Sequence, residues 1–469
     1  MVDITPSGFF VVFRLYFIVY QVCLAGKSIT NSDFTYLVRE PTFVDKTLFI
    51  KEILEDRGNK IVLTAPRGFG KSSNLQMLKA FFQIEVDKNG NKVTSMKDGS
   101  KPIKDTPNYK LFQQKKIINH RDAMDNHFGK YPVIQLDFKN VVGFTSFNES
   151  QDFIKEVLHE AISEHSYLKN SEKLFDDEKE FIRLWSSDEY KLEDMGTLIP
   201  GLEKLSKYLF KHFDRTRVIV LIDHYDSPIF YCVTHTGVAQ DAFNYVINVV
   251  QAFFHIPKDD YYVDTFILTG VSQVEEPHVS NARVIERYEF LNQHRFVPFF
   301  GFVDSEVFDL VGRYAIEVDD ELLESVHKHY GGYESLDNVT VHNPWALLNY
   351  LDRQKFEHIW ARRSRIPNLQ MLLKIPDVHQ KLERMLKGLP TVMELKKVFS
   401  FENFKVLRDL VNEPNGKRHL MYSTLLFSLL FERGFLSYDP SVVSAVSDAR
   451  RYVIPNEEVK KLLWETLDE

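Results

Sequence analysis

The chain has 469 residues, and its 58 lysines and arginines against 66 aspartates and glutamates give a formal net charge of −8 at pH 7. Hydrophobic residues make up 44% and charged residues 26%, an ordinary balance for a globular protein that excludes disordered and fibrous classes. The body of the chain has no run of about 20 uncharged apolar residues, which excludes a polytopic membrane protein. The length predicts two or three domains.

Charge and cysteine content limit the partners that the protein could have. The negative net charge argues against a general polyanion binder, so we do not expect a nucleic acid partner. Only two cysteines are present, Cys23 and Cys232. This number excludes a disulfide framework and a cysteine-based zinc site.

The N-terminus carries an apolar segment at residues 9–25, interrupted by one arginine and one glutamine. Cys23 and Ala25 place small residues at the −3 and −1 positions of a cleavage site before Gly26. Residues 1–25 are therefore a candidate signal peptide, and a cleaved one would make the protein secreted. The alternative is a buried helix or strand in a cytoplasmic protein, because the basic cluster that usually opens a signal peptide is missing.

From about residue 31, short apolar runs alternate with amphipathic segments of helical periodicity. The runs have the length of buried strands and are Ile61–Thr64, Val133–Leu136, Val218–Ile222 and Thr265–Thr269. This alternation predicts an α/β domain with a mostly parallel sheet covered on both faces, which we assign to residues 31–303. The polar stretch Asp87–Thr106 is predicted to be an insertion in that domain.

After residue 304 the strand signal fades and helical periodicity dominates. The helix-like segments are Ser305–Ile316, Glu321–His329, Trp345–Leu351, Gln370–Leu386 and Ser423–Phe431. We therefore predict a mainly helical lid domain over residues 304–469. The strand-like Tyr452–Ile454 suggests a small winged element within it.

The first predicted strand runs into Ala65-Pro-Arg-Gly-Phe-Gly-Lys-Ser72 and then into a helix pattern. This strand–turn–helix context fits a phosphate-binding P-loop, although Ala65 replaces the first glycine of the template. Lys71 would place its charge on the β- and γ-phosphates of ATP, and Ser72 would offer a hydroxyl to Mg²⁺. An ordinary strand-to-helix turn is the alternative. The predicted nucleotide-binding residues are Pro66, Arg67, Gly68, Phe69, Gly70, Lys71, Ser72 and Ser73.

The apolar run Val218–Ile222 ends at Asp223, where a strand tip would hold a carboxylate for Mg²⁺ beside Ser72. The next residue is His224, at the position where a glutamate would polarise the attacking water. Thr269 ends another predicted strand and suits a sensor of the γ-phosphate. The alternatives are that Asp223 caps a helix and that Asp226 only stabilises a turn, although Asp226 is also a weaker substitute for the base.

Other chemistry-bearing patterns are better explained by ordinary structure. The Glu-x-Lys patterns at Glu394 and Glu458 are interpreted as charges on helix faces rather than as nuclease residues. Histidines such as His327 and His329 lack a carboxylate at helical spacing, so we interpret them as solvated or core residues. The short basic run 362–365 is interpreted as a helix end.

Taken together, these motifs make the chain resemble the AAA-ATPase-like family of P-loop ATPases over about residues 31–460. The family's motifs occur in order at Phe34–Thr47, Ala65–Ser72, Leu221–Ile229, Leu268–Gly270, Tyr330–Tyr333, Asn343–Trp345 and Ile454–Asn456. Ala65 and Gly68 replace two arginines of the family's phosphate loop, and His224 replaces its catalytic glutamate. Bacterial relatives often continue into a PD-(D/E)xK nuclease-like domain, for which the thirteen residues after Asn456 are too few.

The resemblance implies an ATP-binding protein that uses Mg²⁺, with Lys71, His224 and Thr269 at the reacting phosphate. Because an imidazole lacks the negative charge of a carboxylate, we expect ATP hydrolysis to be slow or impaired. The alternative is a degenerate, non-hydrolysing scaffold or interaction protein, secreted if residues 1–25 are cleaved. The sequence does not identify a protein partner or an oligomeric state.

Overall fold

The computed structural model describes residues 33–56, 58–93, 104, 106–141, 143–187, 198–255, 261–275, 285–292, 295–314, 318–364, 366, 369–413, 421–439 and 449–468. The candidate signal peptide at residues 1–25 lies outside them, and so does most of the predicted insertion. Within these ranges, none of the helices combines the length and hydrophobicity that a membrane span requires.

A five-stranded parallel sheet lies at the centre of the first domain, with strand order β2-β3-β4-β1-β5. Its strands are β1 Lys60–Thr64, β2 Val133–Asp137, β3 Val218–Asp223, β4 Val263–Gly270 and β5 Glu286–Tyr288. The first four contain the predicted apolar runs, and β3 is buried at every position because helices cover both faces of the sheet. The predicted α/β class with a parallel sheet is thus confirmed. The short edge strand β5 was not predicted.

Helices of this domain pack on both faces of the sheet. They are α1 Phe34–Leu37, α2 Leu48–Leu54, α3 Lys71–Phe82, α4 Pro107–Phe112, α5 Arg121–Asn126, α6 Phe147–Glu164, α7 Asp176–Trp185, α8 Leu198–His212, α9 Ser227–Thr234 and α10 Gln240–His255. The longest, α6, begins with a capping box in which Ser146 and Glu149 each bond the other's backbone N–H. Its apolar residues recur every three or four positions and face the core.

The chain beyond the sheet is mainly helical, as predicted. Its helices are α11 Asp304–Tyr314, α12 Asp320–Tyr330, α13 Pro344–Arg353, α14 Ile359–Arg363, α15 Leu369–Leu373, α16 Pro376–Leu386, α17 Phe401–Asn412, α18 Tyr422–Glu432 and α19 Glu457–Asp468. The predicted boundary between residues 303 and 304 stays a prediction.

Two small antiparallel sheets accompany these helices. One has the order β6-β8-β7, and the other has the order β10-β11-β9. The strand-like segment Tyr452–Ile454 overlaps β11, and the other short strands were not predicted. The six strands are β6 Phe302–Val303, β7 Tyr333–Glu334, β8 Thr340–His342, β9 Thr391–Met393, β10 Ser437–Tyr438 and β11 Arg450–Val453.

A tight turn at Gly331 and Gly332 joins the end of the chain to the middle of the helical region. The side-chain amide of Asn456 donates to the Gly331 carbonyl at 2.8 Å. Gly332 has φ +75°, and a Cβ atom at this position would lie 2.0 Å from the carbonyl oxygen of Pro455. The backbones therefore approach so closely that only glycine fits.

We predict that Gly332→Ala destabilises the protein much more than Gly388→Ala. Gly388 is the matched control because its φ is +77° and a Cβ atom there would have no other atom within 4 Å. Gly388→Ala should lower the free energy of unfolding by only about 1–2 kcal/mol, because alanine disfavours left-handed backbone. Gly332→Ala should cost about 1–3 kcal/mol more because of the contact with Pro455. Urea denaturation measures both, and equal losses would contradict this packing argument.

Candidate functional site

The turn between β1 and α3 has the shape of a phosphate loop. Gly68 and Gly70 adopt left-handed backbone, with φ of +84° and +88°, which glycine tolerates at little cost. Gly70 is also the N-cap of α3, and no side-chain hydrogen bond caps this helix. Its first N–H groups are therefore available to an anion, which the helix dipole also favours.

The Lys71 side chain folds back into this loop. Only 5% of the residue is exposed, and its Nζ donates to the carbonyl oxygens of Ala65 at 2.7 Å and Pro66 at 2.9 Å. Burial lowers the pKa of Lys71 to about 8, although the carboxylates of Asp223 and Asp226 partly offset that effect. The loop thus holds a poorly solvated cation that another anion would stabilise.

Asp223 lies at the carboxyl end of β3 and is 1% exposed. Its Oδ1 accepts hydrogen bonds from the Thr269 hydroxyl at 2.6 Å and from the His224 N–H at 2.9 Å. Because β3 and β4 are parallel neighbours, their tips bring Asp223 and Thr269 together. The Thr269 hydroxyl is directed at Asp223, which it orients. A contact of this hydroxyl with phosphate stays a prediction.

His224 lies between two carboxylates in left-handed backbone with φ +55°. Its Nδ1 is 2.9 Å from Oδ1 of Asp137 and 3.4 Å from Oδ2 of Asp223. Burial disfavours a charged imidazole, but the two carboxylates outweigh burial and raise the pKa of His224. Asp137 was missed by the sequence analysis, although the apolar run before it ends in aspartate just as the run before Asp223 does.

Asp226 has a structural role in the loop that follows β4. Its carboxylate accepts from the N–H of Val271 at 3.1 Å and from the N–H of Ser272 at 2.8 Å. A Cβ atom at Gly270 would lie 2.5 Å from its Oδ1. The carboxylate is thus enclosed by backbone and only 3% of the residue is exposed, which favours the turn-stabilising interpretation over the substitute base.

A pocket of about 370 Å³ lies over the phosphate loop. Its polar lining residues include Lys46, Arg67, Lys71, Ser72, Ser73, Lys139, His224 and Arg433. Its apolar lining residues include Phe34, Leu37, Phe43, Val44, Met77, Phe302 and Leu348. Both the size and the mixed cationic and apolar lining fit a nucleotide-sized ligand.

Arg433, just after α18, is the second residue that sequence reasoning missed. Its guanidinium carbon lies 3.3 Å from the ring centroid of Phe230, and burial lowers its pKa to about 10. Within the described residues, its buried Nε has no hydrogen-bond partner. Arg433 also lines the pocket, so it adds a cation to the wall around the phosphate loop. No sequence motif identifies Arg433, because only the packing of α18 brings it to the loop.

Two tryptophans of the helical region contact the phosphate loop. The indole Nε1 of Trp360 donates to the Arg67 carbonyl at 2.6 Å. A Cβ atom at Gly68 would lie 3.0 Å from this Nε1 and 3.1 Å from Cβ of Trp345. These contacts explain why a glycine, rather than the arginine that the resemblance implies, occupies position 68.

Asp137, Asp223 and His224 form a group whose ligand atoms lie within 4.8 Å of one another. The group therefore could hold a metal ion beside the loop. Ser72, the other predicted ligand, lines the pocket together with His224. Carboxylate and hydroxyl oxygens suit Mg²⁺, so Asp223 and Ser72 fit that cation, whereas the imidazole does not.

A family model described as a predicted AAA-ATPase matches residues 28–280, more than half of the chain. It includes the phosphate loop and the tips of β3 and β4. No curated protein matches the chain.

The buried ammonium predicts a pH dependence of stability without ligand. Between about pH 8 and 10.5 the unfolded chain keeps the Lys71 proton and the folded chain does not, so the free energy of unfolding rises with pH. The contribution is about 3 kcal/mol over this range. Denaturant titrations should show the rise in wild type and in the control Lys88→Met, but not in Lys71→Met. Identical pH profiles for all three would contradict the assigned pKa.

Proposed function

The chain belongs to the AAA-ATPase-like family, and we propose that it binds ATP with Mg²⁺ at the phosphate loop and hydrolyses it slowly. The observation that carries this proposal is the buried ammonium of Lys71 at the uncapped start of α3. Lys71 is buried against the loop carbonyls, and Arg433 lines the same pocket. A polyphosphate would add negative charge beside both cations.

The residues that line the pocket suggest how ATP would lie. The phosphates would be bound by the N–H groups at the start of α3, by Lys71 and by Arg433. The base would contact apolar lining residues, among which Phe34 and Phe43 lie at 6.0 Å between ring centroids. Because these residues and the loop line one pocket, a nucleotide would contact both.

Ser72 and Asp223 are the residues that would hold Mg²⁺. The cation would neutralise charge on the β- and γ-phosphates when bound. Asp223 is already oriented for this purpose, since Thr269 and the His224 N–H fix one of its oxygens. Ser72 and Lys71 both line the pocket, so a nucleotide bound there would meet the hydroxyl and the ammonium.

Slow hydrolysis follows from His224. Nδ1 of the imidazole lies 2.9 Å from Oδ1 of Asp137, and the neighbouring carboxylates raise the pKa of His224. A raised pKa favours the protonated ring, which cannot accept a proton from water. Asp226 does not replace it, because backbone N–H groups bind its carboxylate. The chain therefore has no well-placed carboxylate base among the described residues at this position.

A second candidate is a scaffold or interaction protein that does not need nucleotide. Hydrogen bonds within the protein favour this candidate. Lys71 donates to the carbonyls of Ala65 and Pro66, and Trp360 donates to the carbonyl of Arg67. A loop with these bonds can keep its shape without a ligand. The two candidates differ in whether ATP binds at all.

We predict that Mg-ATP stabilises the protein and that Lys71→Ala removes the effect. A ligand present at 100 times its Kd adds about 2.7 kcal/mol to the free energy of unfolding. Melting temperature with and without Mg-ATP measures this, with Lys88→Ala as an exposed-lysine control that keeps the shift. The absence of a shift in wild type would overturn ATP binding and favour the scaffold.

We predict that His224→Glu raises the rate of ATP hydrolysis by about 10²–10⁴, because it restores a positioned base. His224→Gln has nearly the same shape without the carboxylate and should stay slow. Because the new carboxylate would face Asp137, the variant is also made with Asp137→Asn, which removes like-charge repulsion. If His224→Glu binds Mg-ATP but hydrolyses it no faster than His224→Gln in either background, the explanation for slow turnover is wrong.

A further inference from the structure

A second group of metal-ligating side chains lies away from the phosphate loop. It consists of Asp304 at the start of α11, His327 on α12 and His342 on β8, with one ligand atom of each within 4.8 Å of the others. The three residues come from elements separated in sequence, so the tertiary fold alone brings them together. We propose that they bind one Zn²⁺ ion, at a site independent of the nucleotide.

The spacing of the three side chains suits tetrahedral zinc. Nδ1 of His342 lies 3.6 Å from Oδ1 of Asp304, and the rings of His327 and His342 have centroids 5.2 Å apart with planes at 73°. Two ligand atoms on tetrahedral zinc are about 3.3–3.4 Å apart when each bond is about 2.0–2.1 Å. A shift of a few tenths of an ångström therefore brings His342 and Asp304 to ligand distance.

The group combines one fixed ligand with two adjustable ones. His342 is 2% exposed and is held by the β6–β8 pairing, in which it lies opposite Phe302. Its ring also packs on Gly331, where a Cβ atom would lie 2.7 Å from Nε2. The side chains of Asp304 and His327 are exposed, and among the described residues no other side chain forms a hydrogen bond with them. Both can therefore rotate towards a metal.

The ligand types select the metal class. Two imidazoles and one carboxylate suit Zn²⁺ or Co²⁺ and leave a fourth position for water, whereas Mg²⁺ and Ca²⁺ prefer oxygen ligands. The pair His379 and Glu383 provides a contrast within the same chain, since its nitrogen and oxygen lie 3.5 Å apart but, among the described residues, no third ligand completes the group. A histidine–carboxylate pair alone should bind zinc only weakly.

The site lies behind one wall of the pocket. Phe302 lines the pocket, and its carbonyl lies 3.3 Å from Nδ1 of His342, so zinc bound at Nδ1 would replace this hydrogen bond. A metal here would join α11, α12 and β8 at the back of this wall. Its main expected effect is therefore to stabilise this corner of the fold.

The test is zinc binding by the full chain, measured by calorimetry and by the visible spectrum of Co²⁺. His327→Ala and Asp304→Asn replace exposed residues, so they should fold, whereas His342→Ala changes a buried residue and is not needed. In each variant the affinity for one equivalent of Zn²⁺ should fall by at least the roughly 10–100-fold that loss of an outer-shell partner costs. The tetrahedral Co²⁺ spectrum should disappear with it, and the control His379→Ala should keep both signals.

Zinc could also bind at Asp137, Asp223 and His224, so Asp137→Asn is measured in parallel. The proposal requires that Asp137→Asn keep the equivalent that His327→Ala loses. Melting temperature supplies a further readout, since Zn²⁺ should raise it in wild type and in His379→Ala but not in His327→Ala. If His327→Ala and Asp304→Asn bind as many equivalents as wild type with the same affinity, the proposal is wrong.

Discussion

The buried ammonium of Lys71 is the constraint on which the site depends. A charge removed from water must be compensated nearby, and here two loop carbonyls and the carboxylates of Asp223 and Asp226 do so only in part. Arg67 and Arg433 add positive charge to the same region and oppose the ammonium. The loop is therefore electrostatically incomplete, and a ligand carrying several negative charges would relieve this imbalance more fully than any single side chain present.

The helical region determines the shape of the loop as much as the loop's own glycines do. Trp360 donates to the Arg67 carbonyl, and its own backbone N–H donates to the buried carboxylate of Glu458 at 2.8 Å. Burial raises the pKa of Glu458 to about 8, and its side chain accepts the Trp360 N–H. The Tyr330–Tyr333 and Ile454–Asn456 motifs likewise fix backbones to one another. These C-terminal motifs therefore hold the helical region together, and Trp360 connects it to the phosphate loop.

The features that could be predicted from the sequence are those whose pattern lies in consecutive residues. The strand–turn–helix at Lys71 and the aspartate at the tip of β3 depend on consecutive residues, so their patterns were readable. Strands of two or three residues such as β6 have no periodicity to detect, so only β11 of the two antiparallel sheets was predicted, through Tyr452–Ile454. Arg433, and the group of Asp304, His327 and His342, depend on contacts between distant elements. His327 looked solvated because its carboxylate partner is 23 positions away on another helix rather than at helical spacing.

His224 connects these observations, because a histidine in place of glutamate changes both the charge and the hydrogen bonding at the carboxyl ends of β2 and β3. A glutamate there would face Asp137 and Asp223 as a third carboxylate, and the three would repel one another unless a cation or a polar ligand intervened. The imidazole instead forms a hydrogen bond with Asp137 and lies close to Asp223, so both carboxylates have a partner without a ligand. Under the proposed function, the contact that pairs these carboxylates also leaves the position without a carboxylate base. Nucleotide binding and turnover would then depend on different residues, so they must be measured separately.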